Sequence, residues 1–131
     1  MTRLVNRDLC LDELDRDGRP VPSGGETRLT ATVRRLRRKP IGGLTVEDLR
    51  LLIRQDVGLA HLLPQAVETL RTDPLAEGDM YEGDLLAAVL TRSPEVWSRF
   101  PGLQRDVRLI VSELTDVPPA LEREVERFLV L

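Results

Sequence analysis

The sequence predicts an all-α fold, a single-domain bundle of roughly six helices behind an irregular N-terminal segment, and three observations carry that reading. Aromatic residues make up only 3% of the chain against 41% hydrophobic residues, so the core must be built from Leu, Val, Ile and Ala, a composition that favours helices over a sandwich. Apolar residues recur at i, i+3, i+4 and i+7 in successive segments. Proline and glycine fall mostly between those segments, where they break one helix from the next. A length of 131 residues suits one compact domain spanning 1–131, with 1–26 as a flexible or irregular lead and 27–131 as the helical core. Such a chain hides roughly two thirds of its unfolded surface, enough to dispense with a metal or a disulfide.

The elements follow in order. Leu4, Val5, Leu9, Leu11 and Leu14 fit no single period, so the lead reads as a short helix or an extended arm. Asp17 to Gly25 holds two prolines and three glycines and reads as a mobile surface loop. Leu29, Val33 and Leu36 form one helical stripe that Pro40 stops. The cations Arg34, Arg35, Arg37, Arg38 and Lys39 sit on its last turn, where they complement the negative end of the helix dipole. Thr45 is placed to cap the next helix, with Glu47 and Asp48 in its first turn and Val46, Leu49, Leu52 and Ile53 as its buried stripe. Asp56-Val57-Gly58 breaks it. Leu59, Leu62, Leu63, Ala66, Val67 and Leu70 continue at helical spacing, and Pro64 within that pattern favours a short turn followed by a helix beginning near Pro64 over a kinked one. Thr72 to Gly83 is a loop by its Pro and Gly content, leading to Asp84 as cap for Leu85, Leu86, Val89 and Leu90. Pro94 opens a short turn through Trp97, and Pro101 a longer helix with Leu103, Val107, Ile110, Val111 and Leu114. A last helix runs from about Pro119, with Leu121, Val125, Phe128 and Leu129 inward and Glu122, Arg123, Glu126 and Arg127 outward.

Composition also narrows the function. Lys+Arg number 19 against 22 Asp+Glu, a formal charge of -3, the wrong sign for general attraction to phosphate backbones. The lone Cys10 cannot form an internal disulfide and points to a reducing compartment, and the charged start of the chain does not read as a signal peptide, so a cytoplasmic location is expected. No run approaches the ~20 apolar residues of a membrane span.

Few side chains suggest reactive chemistry. The single histidine, His61, stands in an apolar stretch with no second histidine, so zinc spacing is lacking and a structural role is the plainer reading, although a Cys10–His61 pair is formally possible. Gly42-Gly43 lacks the Lys-Ser/Thr ending of a phosphate loop. No cofactor or metal is expected. Glu77, Asp79, Glu82 and Asp84 surround Tyr81 in an acidic loop suited to a basic partner surface or a divalent ion; the plainer alternative is that Asp84 caps a helix, Tyr81 packs inward and the rest are solvated. The Arg34–Lys39 cluster offers a second reading, a small helical nucleic-acid-binding regulator or adaptor, which the acidic balance opposes. A third, a hydrolase using Asp79 and Asp84 as metal ligands or an acid/base pair, lacks any supporting histidine cluster. Trp97 and Phe100 read as core residues, or as interface anchors if exposed.

A resemblance adds to this. Leu36-Arg37-Arg38-Lys39-Pro40, the run Leu44 to Gln55 with its Leu49-Arg50-Leu51-Leu52-Ile53 centre, Leu62-Leu63-Pro64, Asp73-Pro74-Leu75-Ala76-Glu77-Gly78-Asp79 and Tyr81-Glu82-Gly83-Asp84-Leu85-Leu86 keep their order and spacing over about half the chain. Together they resemble the small helical immunity proteins of contact-dependent growth inhibition (CDI) systems. Asp73 stands where that family usually has Asn, and Glu82 where it often has Pro. The resemblance implies a non-enzymatic protein that binds a cognate toxin C-terminal domain stoichiometrically, occludes it and protects the producing cell and its siblings. A nuclease toxin has a basic groove that an acidic loop can fill, so Glu77, Asp79, Tyr81 and Glu82 are the candidate toxin-binding residues, with Tyr81 or Trp97 as anchor. Neither direct nucleic-acid binding nor membrane association is expected, and the protein is expected to be monomeric before it meets the toxin.

Overall fold

The computed structural model describes residues 7–14 and 27–131. Among them the chain forms eight α-helices: α1 (Leu11–Leu14), α2 (Arg28–Arg37), α3 (Val46–Arg54), α4 (Leu59–Thr72), α5 (Asp84–Leu90), α6 (Pro94–Arg99), α7 (Pro101–Ser112) and α8 (Glu122–Leu129). Short 3-10 helices, Ile41–Gly43 and Pro119–Leu121, precede α3 and α8. The six longer helices are the ones that periodicity predicts. α6 extends the turn expected at Pro94–Trp97.

The lead segment combines both forms expected of it. Cys10 pairs with Pro40 in an isolated antiparallel bridge, and the N–H groups of Ile41 and Gly42 donate to the carbonyls of Leu9 and Arg7 (3.0 and 2.9 Å). One turn of helix then carries Leu11 into full burial. Leu4, Val5 and the predicted loop Asp17 to Gly25 lie outside the described residues.

Capping chemistry decides several boundaries. Thr45 Oγ1 accepts from the Asp48 amide at 3.1 Å while the Asp48 carboxylate accepts from the Thr45 amide at 3.0 Å, so two otherwise orphaned donors at the start of α3 are satisfied reciprocally. Lys39 Nζ adds a 3.0 Å contact to the same carboxylate. Ser93 caps α6 through the Val96 amide, with Pro94 in the first turn, where its missing donor costs nothing.

The core is one contiguous cluster centred on α5, all seven residues of which are buried. A helix apolar on every face can only be internal. α3 packs along α5, α4 against both, α7 on α4, and α8 on α5 and α7. Trp97 and Phe128 meet edge to face, centroids 5.3 Å apart, and are both buried.

Three local expectations are corrected. Helix α4 begins at Leu59, not near Pro64, so Pro64 sits inside it. The proline faces solvent and removes only the hydrogen bond to the Ala60 carbonyl, at an exposed residue, whereas burial of Leu62, Leu63, Ala66, Val67 and Leu70 gains roughly 1.5–3 kcal/mol for each large side chain. Leu29 and Leu129, assigned inward, are exposed: each sits in the terminal turn of its helix, while Leu36 and Phe128 carry the burial. Asp84 is not the cap of α5; Gly83 holds that place with φ 85, and the carboxylate turns to a different task.

A consequence of the first correction is testable. Pro64→Ala restores a helical donor and is expected to raise stability by about 2 kcal/mol, the helix-interior penalty of proline less its constraint on the unfolded chain. Urea denaturation reads the shift, and a lower midpoint would show that the constraint on the unfolded chain dominates.

Candidate functional site

The connection between α4 and α5, residues 73–83, lies beside the first turn of α3, and its shape follows from where its backbone donors go. The Ala76 amide donates to the Asp73 carbonyl, the Gly83 amide to the Leu75 carbonyl at 3.2 Å, and the Asp84 amide to the Tyr81 carbonyl. Ala76 is buried and Leu75 packs against the core, so the base of the loop is anchored.

Two inward carboxylates hold the tip. Asp84 is 2% exposed and accepts from the amides of Gly78, Met80 and Tyr81 at 2.6, 3.0 and 3.3 Å. Glu47 Oε1 takes the remaining amide of that run, Asp79, at 2.9 Å. Arg50 lies between the acids: its Nε and Nη2 donate to Glu47 Oε1 and Oε2 at 2.6 and 2.5 Å, and Nε stands 3.8 Å from Asp84 Oδ2. The Arg50 hydrogen bond outweighs partial burial and holds the Glu47 carboxyl below its usual range, so Glu47 is ionised at neutral pH. Its contribution to stability is complete above the ordinary carboxylate range and is withdrawn as pH falls through the depressed value.

Glycine is required at two points. A Cβ on Gly78 would lie 2.7 Å from Glu47 Oε1 and 3.0 Å from Asp84 Oδ2, in the space the clamp occupies. Gly83 has the left-handed φ, and a Cβ there would come within 2.6 Å of Leu121 Cδ1.

With the amides drawn inward, the charged side chains of the loop are presented outward. Glu77, Asp79 and Glu82 are exposed, and no hydrogen bond or ion pair among the described residues engages their carboxylates. Tyr81 is 40% exposed, and beside it Met80 is 66% exposed. All four sequence-selected residues therefore fall on one loop with accessible side chains, and Tyr81 does not pack inward. Met80 adds an apolar side chain that the acidic pattern did not draw attention to.

The other candidates fare differently. Trp97 is 1% exposed and cannot serve as an anchor on the folded surface, since its ring is committed to Phe128 and the core. Phe100 also packs against the core. In the basic cluster, Arg37 pairs with Asp12 at 2.8 Å and Lys39 with Asp48, so part of the charge invoked for nucleic acid is already balanced. Asp84 faces the loop's own backbone, which removes it from the acid/base reading with Asp79. Among the described residues no group of three or more His, Cys, Asp or Glu is arranged to hold a metal ion. His61 is half-buried in the wall of a groove of about 570 Å³, near Arg37, Asp56 and Arg99.

The sequence reading missed Glu47 and Arg50. Glu47 was visible as a first-turn acid and Arg50 as a polar residue beside an apolar stripe, but Asp79 on the loop and Asp84 at the start of α5 come some thirty positions later, and local spacing carries no record of their approach.

A family model for CDI immunity proteins matches residues 13–107, a span that takes in α2 to α6 and the acidic loop and extends on both sides of the segments compared in the sequence. No curated protein matches the chain.

Proposed function

The chain belongs to the CDI immunity proteins, and from that premise we propose that it neutralises a cognate toxin domain by stoichiometric binding, with the α4–α5 loop as its contact surface. The observation that supports this most is the loop itself: exposed carboxylates at Glu77, Asp79 and Glu82 flank the exposed side chains of Met80 and Tyr81, on a backbone that internal hydrogen bonds already order. Preorganisation removes part of the entropy cost of binding. Acidic charge speeds encounter with a basic surface, and an aromatic amid the charges supplies a desolvated centre. A toxin that cleaves nucleic acid has such a basic groove, and occupying it requires no turnover by the inhibitor. Action in the cytoplasm, as a monomer that pairs one to one with the toxin, is part of the same proposal, as is the extent of a single domain over 1–131. Among the described residues no helix is long and apolar enough to cross a membrane.

Calorimetric titration with the toxin domain encoded beside this chain, at low and high salt and alongside a toxin-activity assay, tests the reading. Tight one-to-one binding with loss of toxin activity is expected, weakening as salt screens the carboxylates. Absence of binding at both salt concentrations would overturn it.

A further inference from the structure

We infer that Arg50 is a positioning residue for the binding loop, one guanidinium setting the two carboxylates that between them hold four successive amides in the recognition geometry. The inference rests on the toxin-binding reading. Glu47 and Asp84 approach the same short segment, Gly78 to Tyr81, from different elements, the first turn of α3 and the start of α5. Two anions converging on one site repel each other, and a buried one is disfavoured unless a cation and donors compensate it. Arg50 supplies that cation from α3, three residues after Glu47, with Nε and Nη2 both donating to Glu47 and the guanidinium charge 3.8 Å from Asp84 Oδ2. The side chain is 13% exposed, so solvent screens this contact far less than a surface pair.

The result is a division of labour within the loop. The amides of Gly78, Asp79, Met80 and Tyr81 point at the clamp, and the side chains of Glu77, Asp79, Met80, Tyr81 and Glu82 are left to face a partner. Such a surface fits a partner that offers arginine or lysine donors around an apolar seat. If Arg50 is altered, the carboxylates separate, the amides lose their acceptors and the outward side chains no longer share one arrangement. The partner must then order the loop as it binds.

The test is toxin binding by surface plasmon resonance, with amide hydrogen exchange on the free protein, for the wild type, Arg50→Lys and Glu47→Gln. Lysine keeps the charge and loses the fork; glutamine keeps an acceptor for the Asp79 amide and loses the charge. Arg50→Lys is expected to bind roughly tenfold more weakly and to exchange faster at Gly78 to Tyr81 while still melting cooperatively. Glu47→Gln is expected to shift the same way by a smaller factor, and it carries the test if the lysine variant does not fold. A purely structural role would lower the melting temperature and leave the affinity of the folded protein unchanged, so faster exchange with wild-type affinity overturns the inference and spares the toxin reading. A wild-type protein that binds no toxin overturns the toxin reading and this inference with it.

Discussion

Replacing Glu77, Asp79, Tyr81 and Glu82 together with alanine is expected to weaken toxin binding by roughly 100-fold or more, about 3 kcal/mol, while leaving the fold intact. Both halves follow from the geometry. The four side chains are exposed, and no hydrogen bond or ion pair among the described residues engages the three carboxylates; Asp79 acts on Arg50 only at longer range, so their loss breaks none of the hydrogen bonds that order the loop. Surface substitutions of that kind usually change stability by about 0.5 kcal/mol or less each. At an interface the same atoms meet desolvated cations, and truncating one partner of such a pair costs about 2–5 kcal/mol, with an aromatic at the centre adding its own share. Calorimetric affinity measured with the thermal midpoint separates the two quantities. The salt dependence of the variant should also flatten, since the groups that salt screens are gone. Wild-type affinity in a well-folded variant would remove this loop as the contact surface and direct attention to another face of the bundle.

What the sequence made legible is what local chemistry decides. Thr45 and Pro94 mark helix starts because capping and the proline ring act within four residues, and the all-α architecture follows from stripes such as Leu49, Leu52 and Ile53 that need no knowledge of their partners. The errors arise where a distant group decides. Asp84 has the residue type and position of a cap, yet its carboxylate is taken by Gly78, Met80 and Tyr81, contacts that exist only once the loop folds back over the start of α5. Pro64 obeys its local rule less than expected because tertiary burial on the opposite face of α4 outweighs one lost hydrogen bond. Trp97 was ambiguous between core and anchor until the position of Phe128 was known. For the candidate site the outward residues could be read as an acidic loop, whereas Glu47 and Asp84, which hold it, could not be distinguished from ordinary helix-end charges, nor Arg50 from any polar residue beside an apolar stripe.

The same clamp gives the largest expected effect on stability. Asp84→Ala is expected to destabilise the protein by about 3–5 kcal/mol, the range for breaking a buried charge pair by removing one partner. The carboxylate is 2% exposed and serves three amides at once, so its removal leaves Gly78, Met80 and Tyr81 without acceptors and Arg50 with Glu47 alone. Three features add to the loss: the position at the first turn of α5 favours a negative charge, the loop encloses the site, and alanine leaves the volume of the carboxylate unfilled. Asp84→Asn separates hydrogen bonding from charge. Its amide oxygen can still accept from Gly78 at Oδ1, but its NH2 group would stand at Oδ2, facing the donors of Met80, Tyr81 and Arg50, so a large part of the loss should persist in a nearly isosteric side chain. Urea denaturation of both variants measures this, with faster loop exchange as the accompanying sign of a broken clamp. A change below about 0.5 kcal/mol for Asp84→Ala would mean that water satisfies the loop amides as well as the carboxylate does, and the loop would then have to be ordered by Ala76, Gly83 and their packing alone.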